Sequence, residues 1–117
     1  MINKVILLGH LGKDPEMRYT PQGHAVTMFS VATQRTWADA DGQTQKETEW
    51  HQVLAWNALA EACNGYLIKG SFVYIEGRLH TRDWEDDSQV RHWRTEVIAE
   101  EVKFLDSRRK RLEKKEQ

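Results

Sequence analysis

Residues 47–67 read ETEWHQVLAWNALAEACNGYL, and the spacing of apolar side chains changes once within this stretch. The first half alternates like a β-strand, which puts Trp50 and Trp56 on one face and a row of core-compatible side chains on the other. From Asn57 onward the apolar side chains follow the spacing of an amphipathic helix of about three turns. They are Leu59, Ala62, Cys63, Tyr66 and Leu67. The stretch therefore predicts a strand that runs directly into a helix.

The predicted helix has recognisable ends. Asn57 is expected at the N-cap, and Gly70 is expected just past the C-terminal end. Gly65 lies inside the helix and costs about 1 kcal/mol relative to alanine. The helix is therefore expected to depend on packing, with Cys63 as a small core residue.

Strand patterns flank this unit on both sides. Residues 5–8 form a continuous apolar run that predicts a strand buried on both faces, and residues 25–35 alternate in part. Residues 72–84 alternate strictly, and residues 92–105 change phase at Glu100-Glu101, which predicts a β-bulge. The order is three strands, one helix and two strands. It predicts an all-β fold with one helix, a five-stranded Greek-key OB barrel whose helix lies between strands 3 and 4.

The composition is that of one globular domain. The 117 residues are 30% charged and 39% hydrophobic, enough for one small core. No apolar run approaches the roughly 18 residues of a membrane span, and residues 5–8 are too short for a signal peptide. The single cysteine cannot form an intramolecular disulfide. A cytoplasmic location is the expectation.

Charge is distributed unevenly along the chain. Residues 108–117 contain six basic and two acidic side chains, a net +4, so the total of −1 leaves −5 for residues 1–107. We therefore predict an OB-fold domain over residues 1–107 and a short basic tail over residues 108–117. Such a tail has two possible partners, DNA phosphate or the acidic surface of its own domain, and it can also be a frayed terminus of no consequence.

Five tryptophans, at positions 37, 50, 56, 84 and 93, are the unusual feature of the composition. Any single tryptophan is commonly a core residue, but one small barrel cannot bury five alongside its aliphatic core. Exposed aromatic rings stack on the bases of single strands for about 1–3 kcal/mol each, while cations follow the backbone. The candidate cations near these rings are Arg35, Lys46, Arg78 and Arg82.

Motifs for catalysis or metal binding were not found in the sequence. Residues 9–13 lack the spacing of a phosphate-binding loop. The five histidines and the lone cysteine have no partners at metal-ligand spacing, and the acidic residues 83–87 lack the calcium-loop pattern. No enzymatic activity, metal or cofactor is therefore expected.

Several blocks of the sequence resemble bacterial single-stranded DNA-binding proteins. The most specific are Thr48-Glu49-Trp50-His51 and Val73-Tyr74-Ile75-Glu76-Gly77, and the opening Asn3-Lys4-Val5-Ile6-Leu7-Leu8-Gly9 also matches. The match covers about residues 1–105. It implies a non-enzymatic, sequence-tolerant binder of single-stranded DNA in replication, recombination or repair.

The resemblance also implies roles for particular residues. The family's four stacking positions fall on Trp37, Trp50, Trp56 and Trp84. Lys4 and Lys69, within the matched motifs, are added to the predicted DNA contacts. The family forms D2 homotetramers, which implies subunit contacts at Val5, Leu7, His51, Tyr74 and Glu76.

The sequence departs from the family in two respects. Ala58 and Asp83 stand where the family tends to have basic residues near its tryptophans, which implies weaker phosphate neutralisation. Bacterial members usually end in a long linker and an acidic tip, whereas residues 108–117 are basic. A shortened chain and a tailless relative, of the primosomal, mobile-element or mitochondrial type, both remain open. So does the alternative function of a primosomal-type protein-interaction module with secondary DNA binding.

Overall fold

A computed structural model describes residues 1–106, so the basic tail predicted over residues 108–117 lies outside the described residues. Residues 1–106 form six strands and one helix. They are β1 (Val5–Leu11), β2 (Glu16–Tyr19), β3 (Ala25–Ala38), β4 (Thr44–Trp56), α1 (Ala58–Tyr66), β5 (Phe72–Glu85) and β6 (Arg91–Phe104).

The strands close into a barrel. Their order is β1-β5-β6-β4-β3-β2, and β1 also pairs with β3, which joins the two sides of the sheet. Both β1 and β2 lie antiparallel along β3, with Leu11 opposite Val31 and Glu16 opposite Met28. They are thus consecutive pieces of one barrel wall, separated at the predicted turn Asp14-Pro15. With β1 and β2 counted as one strand, the predicted five-stranded barrel with its helix after the third strand is confirmed.

The core lies between the inward faces of the strands and α1. On the long β3–β4 hairpin, Phe29 and Val31 face Val53, and all three are at most 2% exposed. From α1, Cys63 is fully buried in the same cluster. Alternation therefore assigns the odd-numbered residues of these two strands to the core and the even-numbered residues to the outer surface.

The predicted bulge is present in β6. Glu76 on β5 pairs with Glu101, but the next residue, Gly77, pairs with Ala99, so Glu100 is the extra residue. The bulge shifts the phase of β6 by one residue. As a result both Ala99 before it and Val102 after it face the core.

The prediction that β1 is buried on both faces is wrong for the single chain. Leu7 is 6% exposed and lies in the core, but Ile6 and Leu8 are 57% and 53% exposed on the outer surface. Nor is β1 a free edge, because it pairs with β5 along most of its length and with β3 at its end. Closure of the barrel gives the strand one inner and one outer face, which a continuous apolar run does not reveal.

The N-cap of α1 is the predicted residue, whereas the C-terminal end lies earlier than expected. Asn57 is the N-cap residue, but its side chain makes no capping hydrogen bond, and its Oδ1 lies 3.2 Å from Nδ1 of His24 instead. The helix ends at Tyr66, and Gly70 adopts a positive φ of 88° in the turn that follows.

Nowhere in residues 1–106 is there a helix with the length and apolar character needed to cross a membrane.

Candidate nucleic-acid interface

All five tryptophans are at the surface of the barrel, with exposed fractions from 36% at Trp37 to 66% at Trp93. The prediction that this small core does not hold them is therefore confirmed. In the described residues the buried core is formed instead by aliphatic side chains, Phe29 and Cys63.

Three of the tryptophans lie on one continuous outer face. On β4, Trp50 and Trp56 lie opposite Ala32 and Val26 of β3, on the side away from the core. Trp84 on β5 lies opposite His92 of β6. Farther along β6, Ile98 pairs with Leu54 of β4, which aligns the outer faces of the two hairpins. We call this surface the tryptophan face. It comprises the outward residues of β3, β4 and β6, those of β5 from Arg78 to Trp84, and the loop after β1 that lies beside Trp50.

The other two tryptophans are on the opposite faces of their hairpins. Trp37 lies opposite Gln45, five positions from Trp50 and hence on the other side of β4. The guanidinium of Arg35 lies 4.8 Å from its ring centroid. Trp93 lies opposite Asp83 on β5, on the reverse side from Trp84. Trp50, Trp56 and Trp84 therefore share one face of the sheet, and Trp37 does not.

Trp84 is surrounded by ordered charged groups. The guanidinium of Arg82 lies 4.8 Å from its ring centroid, and Nε of Arg82 donates to Oε1 of Glu96 at 2.8 Å. Glu96 is 1% exposed, so Arg82 compensates a buried carboxylate. The ring of His92 stacks on Trp84 at 5.4 Å. This arrangement fixes the position of the indole from two neighbouring side chains.

The loop between β5 and β6 contains a hydrogen-bonded carboxylate. Oδ2 of Asp86 lies 2.7 Å from Nε2 of His92, and its Oδ1 accepts from the backbone N–H groups of Ser88 and Val90. These hydrogen bonds, that of His92 first, hold the pKa of Asp86 below its usual value. Hydrogen bonds to Asp86 therefore stabilise the tip of the hairpin that carries Trp84.

The predicted cations are distributed over several surfaces. Arg78 and Lys46 are exposed on the outward sides of β5 and β4 and so belong to the tryptophan face. Lys69 lies in the turn after α1, where its backbone N–H donates to Asp14 at 2.8 Å. Nζ of Lys4 lies 3.6 Å from Glu76, in an ion pair at the end of the β1–β5 ladder.

Asp83 stands where the family tends to have a basic residue. Its negative charge is partly neutralised within the hairpin, because its carboxylate is ion-paired with the guanidinium of Arg91. Ala58 is the first residue of α1, directly after Asn57. It supplies no charge beside Trp56.

Two cations of the tryptophan face were missed by the sequence analysis. Lys13, in the loop after β1, and Arg94, directly opposite Arg82, line one groove beside the outer side of β4. Arg94 alternates in phase with Glu96, so the sequence indicates that the two side chains share a face of β6. The register that brings β6 beside β4 cannot be read from the sequence, so the groove could not be predicted.

The predicted subunit-contact residues do not form one surface. Leu7 is in the core, which contradicts a contact role for its side chain, and Val5 shares its inward phase. His51 is on β4, where Nε2 lies 2.8 Å from the hydroxyl of Thr33. The outward apolar residues of β1 are Ile6 and Leu8, which sequence reasoning did not select.

Tyr74 and Glu76 do lie on the outer face of β5, opposite Leu8 and Ile6. The hydroxyl of Tyr74 donates to Oε1 of Glu76. This hydrogen bond raises the pKa of Tyr74 and lowers that of Glu76. Ile6, Leu8, Tyr74 and Glu76 form a second surface, which we call the β1–β5 face.

Among residues 1–106, no group of three or more His, Cys, Asp or Glu side chains is arranged to hold a metal ion. What the tryptophan face offers is exposed indole rings and guanidinium groups. Those groups stack on planar aromatic ligands and neutralise anions, which is the chemistry of nucleic-acid binding.

Comparison with known proteins also points to nucleic-acid binding. Residues 2–105 match the model of the single-strand binding protein family. The chain is 46% identical over 105 residues to single-stranded DNA-binding protein 1 of Chlorobaculum tepidum, which covers 89% of this chain and 65% of that protein. It is also 46% identical over 107 residues to the single-stranded DNA-binding protein of Neisseria meningitidis, covering 92% and 62%. The chain thus spans slightly less than two thirds of the length of these relatives.

Two solved structures share the fold. A Plasmodium falciparum SSB in complex with ssDNA has a TM-score of 0.83 and 31% identity, covering 91% of this chain and 97% of that one. A deletion mutant of the single-stranded DNA binding protein from Thermus aquaticus has a TM-score of 0.80 and 36% identity, covering 92% and 52%. The match over residues 2–105, together with these identities, means that the chain belongs to the single-strand binding protein family.

Proposed function

We propose that this chain binds single-stranded DNA without sequence preference, by stacking bases on tryptophans and neutralising phosphates. The observation that carries the proposal is the shared outer position of Trp50, Trp56 and Trp84, each with 38–60% of its surface exposed. Stacking is tolerant of sequence because every base has a π-face. Trp37, with Arg35 over its ring, extends the site along the second side of the β3–β4 hairpin.

The cellular role that follows is protection of single strands during replication, recombination or repair. Binding without catalysis is part of the proposal, and so is the cytoplasmic location expected from the sequence. The names of the relatives support this role. The exposed arginine Arg78 and the lysine Lys46 supply backbone contacts, as do Lys4 and Lys69 at the margins.

Fluorescence titration tests the function. With oligo(dT) we expect strong quenching of tryptophan emission, weaker binding to a duplex of equal length, and lower affinity at higher salt. Trp50→Ala and Trp56→Ala should each weaken binding by about 1–3 kcal/mol. The matched control is Trp93→Ala, which removes a more exposed indole from the reverse side of the β5–β6 hairpin.

Equal losses in Trp50→Ala and Trp93→Ala would contradict the assignment of the tryptophan face. Weak binding of oligo(dT) by the wild type, without quenching, would favour the primosomal-type interaction module instead.

Assembly is the second part of the proposal. We infer a homotetramer in which the β1–β5 face packs against a partner subunit. Ile6 and Leu8 support this, because an apolar pair more than half exposed on one strand is unfavourable in water. Tyr74 and Glu76 border the pair, and His51 is kept as a further expected contact.

Light scattering tests the assembly. The expected mass is four times the 13.7 kDa of the chain, and Leu8→Lys should lower it. A mass near that of one chain at micromolar concentration would remove the tetramer together with the contact roles of Tyr74 and His51.

A further inference from the structure

A groove crosses the outer side of the β3–β4 hairpin, with Lys13 and Glu16 on one side of it and Arg94 of β6 on the other. The parallel strands β4 and β6 pair at two positions, Val53 with Val97 and Leu54 with Ile98. N-terminal to these positions β4 and β6 do not pair with each other, and each pairs only within its own hairpin, β3–β4 or β5–β6. A groove of about 340 Å³ lies beside them. Its polar lining is Lys13, Glu16, Ser30, Gln52 and Arg94.

The two cations of this groove are uncompensated. Within residues 1–106, neither Lys13 nor Arg94 takes part in an ion pair. The one acidic residue of the lining, Glu16, has its carboxylate 3.5 Å from the guanidinium of Arg18. The groove therefore carries net positive charge on a domain whose total charge is negative.

Arg94 differs sharply from its cross-strand neighbour. Arg82 lies directly opposite Arg94, but Arg82 is bonded to the buried Glu96 and lies over Trp84. Withdrawing Arg82 would leave the Glu96 carboxylate buried and unpaired, which is strongly unfavourable. Arg82 thus has its Nε committed to Glu96, whereas Arg94 has no ion pair within residues 1–106 and its whole guanidinium is available to an anion.

The groove adjoins the stacking position of Trp50. Gln52, in its lining, is two residues from Trp50 on the same side of β4. Lys13 follows Gly12, over which the ring of Trp50 lies so closely that a Cβ there would be 2.4 Å from Cζ3. A nucleotide base on Trp50 would therefore have its own phosphate close to this groove.

We propose that Lys13 and Arg94 form a phosphate-binding pair that holds the phosphodiester of the nucleotide stacked on Trp50. The inference rests on the proposed single-stranded DNA function and assigns it a backbone site. Arg94 supplies a planar fork of N–H donors, which suits two phosphate oxygens, and Lys13 supplies a point charge from the other wall. Arg82, which sequence reasoning selected as a DNA contact, is not a member of this pair.

The test is the salt dependence of oligo(dT) binding. Each neutralised phosphate contributes about −0.7 to the slope of log K against log[salt] for a single strand. Arg94→Gln and Lys13→Gln should each make the slope less steep by about 0.7, with unchanged tryptophan quenching at saturation. The matched control is Arg91→Gln, which removes an arginine three residues away on the reverse side of β6, where it is already paired with Asp83. Its slope should equal that of the wild type.

Circular dichroism melts establish that the variants are folded before the slopes are compared. If folded Arg94→Gln and Lys13→Gln keep the wild-type slope while the wild type binds and is quenched, the phosphate pair is overturned and the DNA function stands. The phosphate pair is also overturned if Arg91→Gln makes the slope less steep by as much as Arg94→Gln does, because the effect is then one of net charge. If the wild type fails to bind oligo(dT) at any salt concentration, the function itself fails.

Discussion

A Cβ atom on Gly12 would lie 2.4 Å from Cζ3 and 2.8 Å from Cη2 of Trp50, so the indole occupies the space that any larger residue at position 12 would need. The positive-φ glycines of residues 1–106 are Gly23, Gly42 and Gly70. The backbone conformation at Gly12 does not itself require glycine. A small residue is needed there because the Trp50 ring of β4 lies against it.

Gly12→Ala should therefore displace the Trp50 indole and leave the fold intact. We expect weaker oligo(dT) binding, by up to the roughly 1–3 kcal/mol of one stacked base, with a smaller loss of fluorescence on binding. Titration of fluorescence measures both effects. Wild-type affinity in Gly12→Ala would show that the ring position seen here is not the one used for stacking.

Gly65→Ala makes the same chemical change where the structure has room for it. No atom lies within 4 Å of a Cβ built on Gly65, which is in the interior of α1. Alanine there should stabilise the protein by about 0.5–1 kcal/mol, measured as a higher midpoint of urea unfolding. DNA affinity should not change, so this variant also serves as the control for Gly12→Ala.

Cys63 should be chemically inert in the folded protein. Its side chain is fully buried, and burial raises the pKa of the thiol to about 12. Since the thiolate is the reactive form, a thiol reagent at pH 8 should modify the chain only in denaturant. Mass spectrometry after timed labelling measures this, and rapid modification under native conditions would mean that α1 opens readily.

The loop tied by Asp86 should loosen in acid. Because hydrogen bonds lower the folded-state pKa of Asp86 below 3.8, its contribution to stability is complete above that pH and is lost as the pH falls through the lower folded value. The amide NMR signals of Ser88 and Val90 should report the change, since both donate to Oδ1 of Asp86. Asp86→Asn should abolish this titration. A midpoint at or above 3.8 would contradict the bonding described.

Much of the fold could be predicted because its signals are local. The change of spacing at Asn57 predicted the junction of β4 and α1, and the phase change at Glu100 predicted the bulge in β6. The core residues Val53 and Ala55 followed from simple alternation. Five tryptophans in a chain of this length implied that aromatic rings remain at the surface.

What the sequence by itself determined is therefore the set of elements, the single barrel and the residue types of the site. Only the tertiary structure decided how those residues combine, because alternation fixes faces within a strand but not the register between strands. That register places Trp84 on the same face as Trp50, and Trp37 on the opposite one. Closure of β1 onto β3 and β5 left only one of its faces for the core. The buried Glu96 decided that Arg82 is paired while its neighbour Arg94 has no ion pair among residues 1–106, since a carboxylate removed from water must keep its cation.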